Sequence, residues 1–522
     1  MPKHKVIHDF CAAWPGLSMD AQQECTVAAA DLPGVCRWWN DRAQALLVDA
    51  FALSDPACPE DYLVRYVFDV PGLDAFVTVC TRVEGRHPAY PAVSLDVHAA
   101  DWFEREIFEM YGITPQGHPA LGGFILRNQG DDGPFPLRKN FPREGQMPEL
   151  SCLFRTHPVE GRGVFEMPLG PVYSGVAEAA HFALTSIGEE VFWVTPRLFY
   201  KHRGLEKAGE NAPLGKTLLL ARRISGTGAV SESLALCRAV EAAAGLEVPP
   251  RAHYLRSILV ELERLYNHIG NIADIAESTS LSVGAAQGFM LRERLLRLNA
   301  QLTGHRYLMH TICFGGVRWD LDLGKIYLLR DILKPLAMDF RKWFRMLLNT
   351  DSFLDRLENI GVLDVWDARN LSATGPVGRA SGLDRDWRRD YPYAAYAQVD
   401  FAVPVETDGD GLARMKVRAA EVEQSLALLE QLIAKLPPGP VLNSARPQLK
   451  EGACAYGWCE GPRGGTLHWV MAGEDNRLWR YRMRTPSLVN WHTYPDGTEG
   501  CAFQDFPIIL ASFGLSFAES DR

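Results

Sequence analysis

Apolar residues in the second half of the chain recur at three- and four-residue steps. After Pro250, the positions Leu255, Ile258, Leu259, Leu262, Leu265, Ile269, Ile272 and Ile275 trace one face of a long amphipathic helix. Pro250 falls in the first turn, where a missing N–H is tolerated. Similar spacing predicts helices over 288–302 and 325–347, with Pro335 expected to kink or divide the latter. Leu412, Met415, Val417, Val422, Leu426, Leu429, Leu432 and Ile433 mark a fourth, over 411–435. Four long helices imply a bundle core. Partly alternating β-branched and aromatic runs occupy 62–70 and 75–83 instead, separated by a Pro-Gly turn, and predict paired strands. The 93–97 run predicts another strand, and 99–111 a short helix stopped by Gly112. The Gly-, Pro- and Asp-rich stretch 128–136 reads as loop, and strands are expected at 466–470 and 478–484. The fold class is therefore α+β: a mixed α/β module over 1–150, then a mainly helical domain over 160–522 with a small strand-rich part.

A chain of 522 residues, 47% hydrophobic and 23% charged, has the composition of an ordinary globular protein. Its net charge of -10 argues against nucleic acid as a partner. No stretch approaches the roughly 20 apolar residues of a membrane helix, and 507–518 is too short. The N-terminus lacks the apolar core of a secretory signal, so any membrane link is expected to run through partner subunits. The 11 cysteines are scattered, without Cys-x-x-Cys. That favours reduced thiols over a disulfide framework or zinc ribbon, and argues against iron-sulfur ligation by this chain. With no G-x-G-x-x-G after a strand, any use of NADH is expected on another subunit.

Three segments carry a family resemblance: Glu166-Met-Pro-Leu-Gly-Pro-Val-Tyr173, Phe199-Tyr-Lys-His-Arg-Gly-Leu-Glu-Lys207 and Arg223-Ile-Ser-Gly-Thr-Gly-Ala-Val-Ser-Glu232. Together they resemble the large subunit of nickel-iron hydrogenases, more narrowly the membrane-bound group 4 type (formate hydrogenlyase-like), and the D subunit of respiratory complex I. Trp102, Glu104, Arg105, Glu106, Phe108, Gly112, Gly117-His-Pro119 and Pro136-Leu-Arg-Lys-Asn-Phe-Pro142 resemble the C subunit of complex I. Arg379–Tyr393 resembles a signature loop of the same family. The order, C-like then D-like, is that of fused subunits. Glu104, Arg105 and Glu106 read either as a solvated, ion-paired helix face or, preferably, as residues packing the module against partners.

In a hydrogenase, cysteines, with a His four residues after the second, would stand where this chain has Ser225, Gly228 and Glu232, and cysteines again at Ser516 and Glu519. A borderline-soft metal needs thiolates or imidazoles converging on it. The resemblance therefore implies a kept scaffold with no metal ligands and no nickel. In complex I the same crevice is the end of a quinone pocket fed by a neighbouring iron-sulfur cluster. The chain also stops at Asp521-Arg522, without the extension that resembling hydrogenases remove after nickel insertion, which argues further against hydrogen chemistry.

The resemblance assigns candidate roles. Where the D subunit has a headgroup His, this chain has Tyr173, whose phenol, with an ordinary pKa near ~10, donates a hydrogen bond but shuttles protons poorly. Glu178 and His181 match the group 4 pattern; His181 reads equally as a proton-handling residue or as a satisfied residue on a half-buried strand. Glu232 and Glu519 are candidate proton-relay or hard-cation groups, or drift at a dead site. Ser225, Gly228, Asp505, Ser516 and Glu519 are expected to line the crevice. His202, Arg203, Glu206 and Lys207, paired at i, i+4 if helical, read as site wall or interface. Glu261, Arg264 and His268 share one helix face, as a proton path if buried or, by a small margin, as an exposed salt-bridged stripe.

The reading that follows is a peripheral subunit on the cytoplasmic side of the bacterial inner membrane. It binds no cofactor itself, takes electrons from a 4Fe-4S cluster on a small complex I B-like subunit, and passes them to a quinone or similar acceptor. Antiporter-like membrane subunits would couple this to ion translocation. The alternative is a catalytically silent structural subunit.

Overall fold

The computed structural model describes residues 3–20, 22–126, 133–142, 161–172 and 178–522. The chain divides into two compact units, Met1–Thr156 with Arg369–Ser372, and His157–Ala368 with Ala373–Arg522.

The first unit is built on a four-stranded sheet, β1 (Glu24–Val27), β2 (Leu46–Ser54), β3 (Tyr62–Asp69) and β4 (Val77–Val83), in the order β1-β4-β3-β2. The strands β2, β3 and β4 are antiparallel, and β1 joins β4 in parallel. Helices α1 (Lys3–Ala13), α2 (Leu32–Asp41) and α3 (Asp101–Tyr111) complete it; α3 ends on Gly112 in the left-handed region at φ 67°.

Two expectations fail in this unit. The 93–97 run is a turn: Val93 and Ser94 donate their N–H groups to the Glu104 carboxylate at 2.7 and 3.2 Å. Nor are Glu104 and Glu106 of α3 solvated or turned outward, while Arg105 is half-buried with its guanidinium on the Gly123 carbonyl at 3.2 Å. Glu104 and Glu106 are buried, and Glu104 also accepts from Tyr66 Oη at 2.7 Å, so it organises the unit's own interior. Burial still raises its pKa against those bonds.

In the second unit a sheet of β5 (Val164–Leu169), β6 (His181–Ile187) and β7 (Glu190–Arg197) leads to α4 (Leu205–Gly209) and α5 (Leu214–Ala221). The bundle follows: α6 (Ala229–Ala244), α7 (Pro250–Ser278), α8 (Ser282–Thr303), α9 (Leu323–Leu348) and α10 (Gly411–Ala434). The apolar stripe of α7 is buried as its spacing predicts, and Leu255, Ile258, Leu262, Leu265, Ile269 and Ile272 all lie in one core. Pro335 does not divide α9, which is continuous through it.

An antiparallel meander, β8 (Cys454–Gly461), β9 (Gly464–Ala472) and β10 (Leu478–Arg484), lies against α6. The contact is close: a Cβ on Gly457 would stand 2.1 Å from the carbonyl oxygen of Ala235. After β10 come α11 (Pro486–His492), α12 (Phe506–Phe513) and the last helix, α13 (Phe517–Asp521). No helix among the described residues is long and apolar enough to cross a membrane.

Candidate functional site: a buried acidic crevice

The N-terminus of α6 and the last helix, α13, meet in a crevice. A Cβ built on Gly228 would lie 3.8 Å from both Glu519 Oε1 and Ser225 Cβ, so positions 225, 228 and 519 converge. Ser516 is the N-cap of α13, its Oγ accepting from the Glu519 N–H at 3.2 Å. Ser487 donates from Oγ to Glu519 Oε2 and accepts from the Ser516 N–H at 3.1 Å.

Backbone stitching holds the walls together. The Arg203 guanidinium donates to the carbonyls of Arg223, Ile224 and Ala518 at 2.8, 2.9 and 2.7 Å, bracing the strip before Ser225 and α13 at once. His202 Nδ1 lies 2.7 Å from the Asp521 carbonyl, whose carboxylate accepts from the N–H groups of Phe199 and Lys201, both at 2.7 Å. Glu178 accepts from the Ala518 N–H at 2.6 Å. The helical i, i+4 geometry expected for His202 with Glu206 and for Arg203 with Lys207 does not apply, because α4 begins only at Leu205, after Gly204 at φ 59°. Glu206 is buried against Arg480 and Arg482, at 2.7 and 3.2 Å.

Carboxylates dominate the interior. Burial pushes Glu519 up to about 7 against the pull of Arg463, whose Nε lies 4.0 Å away, while Glu232 and Glu178 push it further. Glu232 is buried, and its Oε2 bonds to His468 Nε2 at 2.7 Å and Thr466 Oγ1 at 3.0 Å; its Oε1 has no hydrogen-bond partner. His468 Nδ1 in turn meets Tyr481 Oη at 2.9 Å. Glu263, from α7, accepts from the N–H groups of Val230 and Ser231 at 2.7 and 2.9 Å, satisfying two first-turn donors of α6. Burial nonetheless raises Glu263 to about 7, with Glu232 contributing.

Below the crevice the helix face of Glu261, Arg264 and His268 is fully buried, not an exposed stripe. Its partners come from α10, the 375–396 segment and the end of β8, where the Glu460 and Gly461 carbonyls accept from Arg264 at 2.6 and 3.1 Å. Glu261 accepts from Tyr396 Oη and Ser425 Oγ, both at 2.6 Å, and from Arg388 at 3.2 Å. Glu421 takes Arg264 at 3.0 Å, Arg379 at 2.7 Å and His268 Nε2 at 2.8 Å. Spacing alone could not reveal this, because the partners lie more than a hundred residues away in sequence.

Among the other candidates, His181 opens β6 opposite Arg197, and burial followed by Arg197 lowers its pKa. Asp505 directly precedes α12 and pairs with Arg356 at 4.0 Å. Tyr173 lies outside the described residues.

Sequence reasoning missed Arg463, Glu263 and His468. Arg463 occupies the two-residue turn between β8 and β9, and the Gly461-Pro-Arg-Gly-Gly465 run was a readable turn signal. It lines a cavity of about 430 Å³ beside the crevice, with Arg292, Asn271 and Phe517 among its walls.

The donor set does not suit nickel. Two serines, of which Ser516 is already engaged in capping α13, a glycine and a carboxylate replace the soft ligands, and no group of three or more His, Cys, Asp or Glu side chains among the described residues is disposed to hold a metal ion.

Comparison with known proteins agrees with this architecture. Residues 25–147 match the model of the respiratory-chain NADH dehydrogenase 30 Kd subunit, and residues 279–453 and 444–522 that of its 49 Kd subunit. Formate hydrogenlyase subunit 5 of Escherichia coli (strain K12) is 31% identical over 522 residues, 98% of this chain and 92% of the relative. Hydrogenase-4 component G of the same organism is 30% identical over 520 residues, 98% and 91% of the two chains. The fused C/D subunit of the NADH-quinone oxidoreductase of Bacteroides thetaiotaomicron is 30% identical over 434 residues, 79% and 81%. The chain thus belongs to the family of fused 30 Kd and 49 Kd subunits shared by respiratory NADH dehydrogenases and hydrogenases of the formate hydrogenlyase and hydrogenase-4 type, and is a subunit of a respiratory oxidoreductase complex.

Proposed function

We propose that this subunit accepts electrons from a 4Fe-4S cluster on a small partner subunit and delivers them to a quinone or similar acceptor at the crevice, with membrane partners coupling the reaction to ion translocation. Reduction of a quinone takes two electrons and two protons, forming two O–H bonds. The electrons come from the partner cluster. Glu519 supplies the first proton when its carboxyl is protonated, the second comes from solvent once that carboxyl is reprotonated, and the Glu232–His468–Tyr481 hydrogen-bond chain lies beside it. The observation that carries the reading is a buried carboxyl, bonded to Ser487 and pushed up by its burial to about 7, where general acids work best, at a position where the family's metal-binding relatives would place a thiol. Arg463, on the neighbouring turn, offers a hydrogen-bond donor and positive charge beside it.

The test is redox turnover of the purified complex with a short-chain quinone. Turnover is expected, with competition by headgroup analogues, and Glu519→Gln should lower kcat by about a hundredfold. Full activity in that variant would overturn the proton-donor role. A silent structural subunit is the second reading, favoured by the engagement of Ser487 and Ser516 in tying down α13. No turnover, and no analogue binding, would establish it.

A further inference from the structure

The cavity beside the crevice has a charge pattern that the acceptor reading uses only in part, through Arg463. Three guanidinium groups line it from three elements: Arg292 from α8, Arg418 from α10 and Arg463 from the β8–β9 turn. Against them stands one carboxylate of the lining, Asp274, on an exposed position of α7. Two of the three cations keep buried N–H groups without a hydrogen-bond partner, Nε of Arg292 and Nη1 of Arg463, and the Asn271 amide oxygen is likewise unpartnered. Arg418 donates only to neutral acceptors, the carbonyls of Arg414 at 3.0 Å and Phe513 at 2.8 Å. Burial and the adjacent Arg414 hold its guanidinium down to about 9, the behaviour of a cation short of a counter-anion. Glu421, the nearest acid on its own helix, is already engaged by Arg264, Arg379 and His268.

Buried donors without acceptors are rare in native proteins and mark places where a partner belongs. The opposite wall is apolar, formed by Pro507, Leu510, Leu515 and Phe517. The volume, about 430 Å³, is in the range of small-molecule sites. One wall therefore asks for an oxyanion and the other for a compact hydrocarbon body.

We propose that this cavity binds a small organic carboxylate, its oxygens taken by Arg292 and Arg463 and its apolar body laid against Leu510, Leu515 and Phe517. The inference goes beyond the acceptor reading, and its test needs neither electrons nor quinone. An inorganic oxyanion would satisfy the arginines but leave the apolar wall uncovered, and a neutral aromatic would do the reverse.

The experiment is calorimetric titration of the purified complex, in buffer free of competing oxyanions, with benzoate, benzamide and inorganic phosphate. Benzoate is expected to bind saturably at one site per chain, with benzamide and phosphate each at least about tenfold weaker. Arg292→Gln should weaken benzoate about tenfold, and Arg292→Lys, which keeps the charge but loses the planar fork, by less. Because Arg292 packs over Gly270, a second variant leaves the arginines in place: Ala511→Leu, which fills the cavity from α12 and should abolish benzoate binding with normal thermal unfolding. Absence of saturable benzoate binding, equal binding of benzamide or phosphate, or wild-type affinity in both Arg292→Gln and Ala511→Leu would overturn the proposal.

Discussion

Two clusters of buried charge lie one above the other in the second unit, and they resolve the cost of burial in opposite ways. In the lower one, Glu261 and Glu421 are as completely buried as any residue in the chain. Burial opposes their ionisation, yet Arg388 and Arg264 on Glu261, and Arg379, His268 and Arg264 on Glu421, hold both carboxyls below the usual range. In the upper cluster Glu519 and Glu263 are equally dry but have one distant guanidinium or only hydrogen-bond donors, and both rise to about 7. Burial is common to both; pairing decides the outcome. The lower cluster is a fixed ionic lattice, whereas the upper one can change charge near neutral pH.

The largest test is to break the lattice. Glu421→Ala leaves Arg264, Arg379 and His268 facing a void, and removing one partner of a buried pair typically costs about 3–5 kcal/mol. Urea unfolding of the purified chain should show a loss of that size, or failure to fold. A loss below about 1 kcal/mol would mean that solvent reaches the lattice, and the contrast with the crevice would collapse.

The pH dependence of the two clusters sharpens the comparison, because the signs differ. Glu519 rises from 4.5 to about 7 on folding, so its contribution is favourable below 4.5 and is lost as pH rises through about 7. Glu519→Gln should remove a decline of about 3 kcal/mol between those limits. His268 behaves in reverse. Burial lowers it from 6.5 to about 4 despite Glu421, so stability is full above 6.5 and is lost as pH falls through about 4. His268→Gln should flatten that acid limb, also by about 3 kcal/mol. Unfolding free energies measured from pH 4 to 8 check both, and parallel slopes in the two variants would refute the opposition.

These clusters also show what a sequence can disclose. The apolar stripe of α7 and the turn chemistry around Gly112 are local patterns, and the structure follows them. The convergence of 225, 228 and 519 was readable only through resemblance, since nothing local joins residues almost three hundred positions apart. The lattice was misread because Glu261, Arg264 and His268 at helical spacing look the same whether water or Glu421 and Arg388 faces them. The same ambiguity hid Glu104, whose carboxylate converts an expected strand at 93–97 into a turn. Glu263 and His468 escaped because a lone acid on a helix, or a His on a strand, announces nothing until the opposing element is placed.

A smaller prediction concerns the link between Glu232 and His468. Glu232→Gln keeps a hydrogen-bond acceptor for Thr466 and removes the charge that raises both Glu519 and Glu263. The titration of Glu519, followed as the infrared band of its protonated carboxyl, should move to lower pH. An unmoved band would show that the acids of the crevice act independently.

The smallest effect is expected at Gly228, and it bears on whether the crevice has closed over its lost ligands. Its backbone lies at φ -113° and ψ 30°, accessible to any residue, and an added Cβ would meet Ser231 Oγ at 3.7 Å and Glu519 Oε1 and Ser225 Cβ at 3.8 Å, all ordinary contact distances. Gly228→Ala should therefore leave stability unchanged or raise it by up to about 1 kcal/mol, through the reduced freedom of the unfolded chain. A loss above about 1 kcal/mol at Gly228 would mean that the acids have collapsed into the space a ligand side chain would fill, and that the crevice has become a second, disguised core.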